Sequence, residues 1–250
     1  MVQLMKPIKF MDTKQKTKQI QSAVGVTADG IWGANSANAV FQALGLEEPK
    51  GVSLWYPEAN TNYEASHTHG KYEHNYPKGA IVHYTSGWWD RSLDDQIAEQ
   101  VANGYTYFVI DEHGNVAQNF PLDEWGYHAG KSSWSSLDGT VSDELVGIEI
   151  CCAGKLESDG TPWFTDQKIE DVRVIETQNE NQKVGIYQKY TEAQEAALTK
   201  LLLWLHSNNP SVFDLDLVLG HDEVSPDRKD DPSGSLSMTM PAFRNFLKSQ

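Results

Sequence analysis

The run Gly79-Ala80-Ile81-Val82-His83-Tyr84 decides the fold of this chain. A short apolar stretch with glycines at 79 and 87 on either side reads as a buried strand. At the end of such a strand a side chain can leave the core, so His83 is expected at a cleft. Downstream, Ser92 is positioned to cap a helix over residues 93–103. Tyr105–Ile110, the turn DEHGN and Val116–Phe120 read as a hairpin with a five-residue loop. Leu145–Ile150 is a second buried strand. Thr191 with Gln194 makes a capping box, and Ala197, Leu198, Leu201, Leu202 and Leu205 form one apolar stripe behind it. Leu215–Leu219 is read as a last strand, and Pro241 suits the first turn of a C-terminal helix. Strands interleaved with amphipathic helices give an α/β fold, a central, mostly mixed β-sheet covered by helices. The polar, weakly patterned stretch 153–190 is expected to be a surface insertion.

Upstream of β-rich sequence lies an Ala-rich, helix-forming stretch over residues 14–45. Its apolar positions Ile20, Val24, Val26, Ile31, Val40, Phe41 and Leu44 fit short helices around a small centre, and Ala28-Asp29-Gly30 reads as the turn between them. The expected organisation is a small helical domain over 1–48, a linker at 49–58 carrying Pro49 and Pro57, and a main domain over 59–250.

The formal charge of −15 argues against nucleic acid and against anchoring to anionic lipid. No apolar run approaches the ~20 residues of a membrane span, so no insertion is expected. The N-terminal MVQLMKPIKFMDTKQKTKQ lacks the continuous apolar core of a secretory signal. Adjacent Cys151 and Cys152 point to opposite faces of a strand and are read as packing thiols in a reducing compartment.

Eight histidines need sorting. His83 and His221 each sit where a predicted strand ends, and Asp231 follows His221 with Lys229 between. Two imidazoles and a carboxylate give zinc three ligands with one tetrahedral position open, the pattern of a catalytic site. Taken singly, a strand-end His is more often a hydrogen-bonded structural group, and Asp231-Pro232 is a turn; the joint arrangement changes that balance. Glu149, an acid inside the apolar run VGIEI, is costly without a purpose. His67, His69 and His74 (HTHGKYEH) are too irregularly spaced to favour a second metal site over a solvated loop. His113 falls in a hairpin turn, and His206 ends a helix, where its charge suits the dipole. Trp88, Trp89, Trp125 and Trp134 flank the site in sequence, open equally to stacking or to core packing.

IVHYTSG, YHAG, GIEI and GHDEVSPDRKDDPSG, in this order over residues 78–245, resemble the type 2 N-acetylmuramoyl-L-alanine amidase family, whose superfamily includes phage amidase-type lysozymes and peptidoglycan recognition proteins. The resemblance implies one zinc ion on His83, His221 and Asp231, Glu149 as catalytic carboxylate and Lys229 as catalytic lysine. It places His128 near substrate, and Tyr84 and Trp88 beside His83 are taken as substrate contacts. The pattern departs at Ser233, where the family has glycine. GVTADGIWGANSANAVFQALGL resembles the small peptidoglycan-binding domain through its turn Asp29-Gly30-Ile31-Trp32-Gly33. Together these imply a monomeric amidase acting on bacterial peptidoglycan, a phage or prophage endolysin held in the cytoplasm until released to the wall. A cytosolic amidase recycling anhydro-muropeptides and a non-catalytic recognition protein stay open as alternatives.

Overall fold

A computed structural model describes residues 12–31, 36, 39, 40, 43, 44, 51–63, 65, 68–103, 108–137 and 140–250. They fall into two compact units, Met1–Gly51 and Val52–Gln250.

In the first unit the helix Thr13–Ala23 is opened by a capping box between Asp12 and Gln15. Gly30 takes φ +81°, the left-handed conformation its turn requires. The turn is held by a buried amide: Gln21 donates to Asp29 Oδ1, Ile31 O and Ser36 Oγ and accepts from Gly30 N. The expected apolar centre is corrected here, since Ile20, Ile31 and Leu44 are exposed. Among the described residues of this unit, a fully bonded glutamine orders the turn. Trp32 and Gly33 of the quoted turn, and Phe41, lie outside the described residues.

The second unit is built on β1 (Gly79–Tyr84), which runs parallel to β4 (Leu145–Ile150) on one side and β8 (Val218–Gly220) on the other. β2 (Phe108–Ile110) extends the sheet parallel to β4, and β3 (Val116–Gln118) closes it antiparallel to β2, giving the order β3-β2-β4-β1-β8. Tyr105, Thr106 and Tyr107 of the expected hairpin lie outside the described residues.

Both faces of the sheet are covered. Ala80, Val82 and Ile148 pack beneath Leu198, Leu201, Leu202 and Leu205 of the helix Glu192–Asn208 and beneath Phe243 and Leu247 of the helix Met240–Lys248. Each buried leucine contributes ~1.5–3 kcal/mol, so this stripe anchors the unit. On the opposite face Ile81, Leu145 and Leu219 pack with Ala129, Val141 and Val224. The helix Leu93–Asn103 is capped by Ser92, whose hydroxyl accepts from Asp95 N. No helix among the described residues is long and apolar enough to cross a membrane.

Three expectations change. Leu54 and Tyr56, inside the expected linker, pack into the core of the second unit. Leu215–Leu217 is a 3-10 turn, and strand begins only at Val218, because the Asp214 side chain accepts from Asp216 N and curls the backbone first. The stretch 153–190 is folded: β5 (Lys155–Leu156), β7 (Gly185–Gln188) and β6 (Val172–Ile175) form an antiparallel sheet in the order β5-β7-β6, with Leu156, Ile169 and Ala153 in a small core of its own.

Candidate functional site

Parallel pairing puts the ends of three neighbouring strands at one place. His83 of β1 is the register partner of Glu149 of β4, and His221 follows directly on Gly220, the last residue of β8. Residues two apart share a face, so His83 projects on the side of Ile81 and Glu149 on the side of Gly147. The crevice beyond the carboxyl ends of parallel strands is where open α/β sheets bind ligands. Here it is a cavity of about 300 Å³ lined by Tyr84, Thr85, Ser86, His128, Arg228, Lys229 and Asp230 together with His83, Glu149, His221 and Asp231.

His83 Nδ1 and His221 Nδ1 each lie 2.9 Å from Asp231 Oδ2. All three residues are buried, and they are the group of His, Cys, Asp or Glu side chains able to hold a metal ion among the described residues.

The hydrogen bonds around this group fix where its protons sit. His221 Nε2 lies 2.9 Å from Ala129 O, and a carbonyl only accepts, so a proton on Nε2 satisfies both. His128 Nε2 lies 2.9 Å from Leu145 O, which makes it a donor and leaves His128 Nδ1 an acceptor. That acceptor stands 3.0 Å from His83 Nε2, so His83 Nε2 is the donor and, in the neutral ring, its Nδ1 is a lone pair. Burial first, then the neighbouring His221, pushes His83 down to about 4, and burial holds His128 well below the ordinary histidine range. The imidazoles of His83 and His128 are therefore neutral near pH 7. The lone pair of His83 Nδ1 thus faces the Asp231 carboxylate, and His221 Nδ1 lies at the same 2.9 Å from it. A lone pair facing a carboxylate is repulsive on its own and satisfied by a cation, and with His221 beside them the residues present fit a divalent metal.

The support behind the ligands is detailed. The Tyr190 hydroxyl donates to His83 O at 3.1 Å. Ser142 Oγ accepts from His128 N at 3.3 Å and Ala129 N at 3.1 Å, fixing the YHAG segment. A Cβ at Gly147 would stand 2.8 Å from His128 Cγ, so glycine is what lets that ring reach β1. Arg228 shares Ala129 O with His221, donating at 2.8 Å, and donates to Lys131 O at 3.1 Å. Ser233, where glycine was expected, takes φ +36°; its hydroxyl accepts from Lys183 N at 2.9 Å and its own N donates to Asp222 Oδ2.

Glu149 Oε2 is buried with no hydrogen-bond partner. Burial, reinforced by the charge of Asp231 and opposed by Lys229, pushes its carboxyl up to about 8. A carboxylate without its own partner beside an acceptor-lined metal pocket is poised to take a proton from a bound group. Lys229 lines the same cavity, partly exposed.

Of the residues expected at the site, the structure brings together His83, His221, Asp231, Glu149, Lys229, His128 and Tyr84. Trp88 is not in the cavity lining; it is exposed and stacks on Trp89. His128 makes its hydrogen bond to His83, a positioning contact that the expectation of a substrate residue did not include. His69 packs against Trp125 and Tyr127, His74 and His113 are solvated, His206 Nδ1 bonds Phe213 O at 2.8 Å, and His67 lies outside the described residues. Cys151 and Cys152 are buried free thiols.

Arg228, Ser86, Asp230 and Tyr190 were missed. Arg228 adjoins Lys229 and was legible by position; Tyr190 contributes through a backbone carbonyl, which no motif records. The insertion was missed as a support: Lys155 and Lys183 both pair with Asp230, at 3.2 and 3.3 Å, and Arg173 donates to Gly234 O at 2.6 Å. Its sheet thereby braces the loop that carries Asp231.

A family model described as N-acetylmuramoyl-L-alanine amidase matches residues 73–234. A curated relative, N-acetylmuramoyl-L-alanine amidase AmiD of Escherichia coli (strain K12), is 24% identical over 159 residues, covering 62% of this chain and 48% of its own. The chain thus spans about half the length of that relative. Among solved structures, a selenomethionine AmpD derivative is 20% identical, with 78% of this chain and 98% of that one covered and a TM-score of 0.50, a likeness of fold. AmiD from E. coli in complex with anhydro-N-acetylmuramic acid-L-Ala-D-γ-Glu-L-Lys is 21% identical, with 63% and 53% covered and a TM-score of 0.45.

Proposed function

This chain belongs to the N-acetylmuramoyl-L-alanine amidase family, and from that premise we propose that it hydrolyses the amide joining N-acetylmuramic acid to L-alanine in bacterial peptidoglycan, using one zinc ion. The observation that carries the reading is the convergence of His83 Nδ1, His221 Nδ1 and Asp231 Oδ2, buried and within 4.8 Å of one another, beside a carboxyl whose Oε2 has no partner. Two imidazoles, one carboxylate and an open side toward the cavity are the donor set of catalytic rather than structural zinc. Bound there, zinc supplies Lewis-acid activation of the attacking group near neutral pH.

The chain's own residues supply the rest. Glu149 Oε2 takes the proton released by the attacking water and passes it to the departing alanyl nitrogen. Lys229 brings a positive charge to the carbonyl oxygen as negative charge develops there. His128 holds His83 in the tautomer that presents its lone pair, with Leu145 O as the fixed end of that relay.

The proposed setting is a phage or prophage endolysin working on intact wall. The resemblance of the N-terminal sequence around Asp29-Gly30 to a wall-binding module supports that setting, because a polymeric substrate rewards tethering. Mass spectrometry of digested sacculi tests the reaction: release of peptides with a free L-alanine amino terminus is expected, and glycan scission or peptide cross-bridge cleavage would overturn it. Faster turnover of soluble anhydro-muropeptides than of sacculi would replace the endolysin setting with recycling.

A further inference from the structure

The insertion brings to the mouth of the cavity an aromatic surface that the chemistry above does not use. Trp163 is 70% exposed, yet its indole is fixed: Nε1 donates to Ser86 O at 3.2 Å and lies 3.3 Å from Ser86 Oγ. Its ring meets Phe164 edge-on with centroids 5.5 Å apart. Phe164 in turn meets Trp88 at 5.1 Å, and Trp88 stacks on Trp89 at 6.2 Å. Trp88 is itself 39% exposed. Ser86 belongs to the cavity lining with His83 and Glu149, so the ledge of Trp163, Phe164 and Trp88 starts at the cavity's rim. An indole whose N–H is already bonded presents a flat apolar face, and a ring already pinned has little rotamer freedom to lose on binding.

The lining divides by charge. Thr85 and Ser86, toward the ledge, are neutral, whereas the stretch 228–230 holds the basic Arg228 and Lys229 beside Asp230, whose carboxylate is paired with Lys155 and Lys183. The proposed substrate divides the same way at its scissile amide. On one side is an uncharged chain of N-acetylated pyranose rings, on the other a peptide bearing carboxylates, which only the basic stretch attracts.

We propose that Trp163 and Trp88 form a subsite for a pyranose ring of the glycan strand, with the stem peptide running past Arg228 and Lys229. The subsite rests on the amidase reading and adds to it an orientation of substrate in the cleft. Neither tryptophan touches the metal ligands, so its effect falls on binding.

The test uses the zinc-loaded full chain, with peptide-free wall glycan strands as the calorimetric probe. Trp163→Ala is expected to weaken glycan binding about tenfold, the scale of one lost aromatic stacking partner with its buried area. Trp163→Phe, which keeps a smaller ring, is expected to fall between. On sacculi the loss enters through KM, while zinc content stays that of the wild type. Equal glycan affinity in wild type and Trp163→Ala, or no glycan binding by wild type, overturns the subsite. Should Trp163→Ala fail to fold, Trp163→Phe and Trp88→Ala carry the same comparison. Failure of the wild type to release L-alanyl peptides from sacculi overturns the amidase reading instead, and the calorimetric result stands apart from it.

Discussion

Replacing Glu149 by glutamine separates the cost of this side chain from its use. The folded protein holds the carboxyl at about 8 against an ordinary 4.5, chiefly through burial, then through the charge of Asp231, with Lys229 opposing. Because the folded value is the higher one, the folded state favours the protonated form. Glu149 therefore imposes no penalty below pH 4.5, an increasing one as pH rises toward 8, and its full penalty above that. At about 1.36 kcal/mol per tenfold change in proton affinity, the ceiling is about 5 kcal/mol. The residue is partly exposed even though Oε2 is sealed, and water reaching the cavity reduces the realised figure to ~2–3 kcal/mol. Urea unfolding of zinc-free wild type and Glu149→Gln should show near-equal stability at about pH 5 and a gain of that size for the variant at about pH 9. Saturating zinc should close the gap, since a dication beside the carboxylate restores the charged form. Turnover should fall by ~10²–10⁴ with zinc retained. A stability difference that stays flat from about pH 5 to about pH 9 would refute the burial argument, and near-normal turnover would remove Glu149 as the base.

His128→Ala deletes the acceptor that sets the His83 tautomer, so zinc affinity measured by chelator competition should drop ~10–100-fold; His128→Asn, which keeps an acceptor, should recover part of it, and unchanged affinity in both would break the relay. Deleting residues 1–51 should depress lysis of whole walls more than hydrolysis of short muropeptides, and an identical loss on both would deny that unit a targeting role. Burial pushes Cys152 up to about 12 and Cys151 higher still, so iodoacetamide near pH 8 should label the thiols only after unfolding; prompt labelling of the native protein would contradict their burial.

What the sequence made legible follows from how locally each feature is encoded. The strand GAIVHY, the Thr191–Gln194 capping box and the Leu198–Leu205 stripe are written in consecutive residues, and each stands where its pattern puts it. The ligand triad was legible for a different reason. His83 and His221 sit at strand ends that parallel register brings side by side, and the loop after His221 returns Asp231 to them ten residues on. Two kinds of feature were not legible. One is encoded by polar atoms rather than hydropathy: Gln21 organises the N-terminal turn through its amide, while Ile20, Ile31 and Leu44 around it stay in solvent. The other is encoded by distant chain. β6 and β7 carry only half-buried alternation because their partner surface is the loop after Asp231, so Tyr187 packs on Gly234 and Arg173 caps its carbonyl. The same logic extends to the site. Identity of the candidate ligands is local, but their ring orientation rests on the carbonyls of Ala129 and, through His128, Leu145, which any residue could provide. A scan of side-chain types therefore finds the metal-binding group and misses what makes it able to bind. The fold supplies that last part by holding two backbone oxygens where they orient the imidazole rings, the one on Ala129 directly and the one on Leu145 through His128.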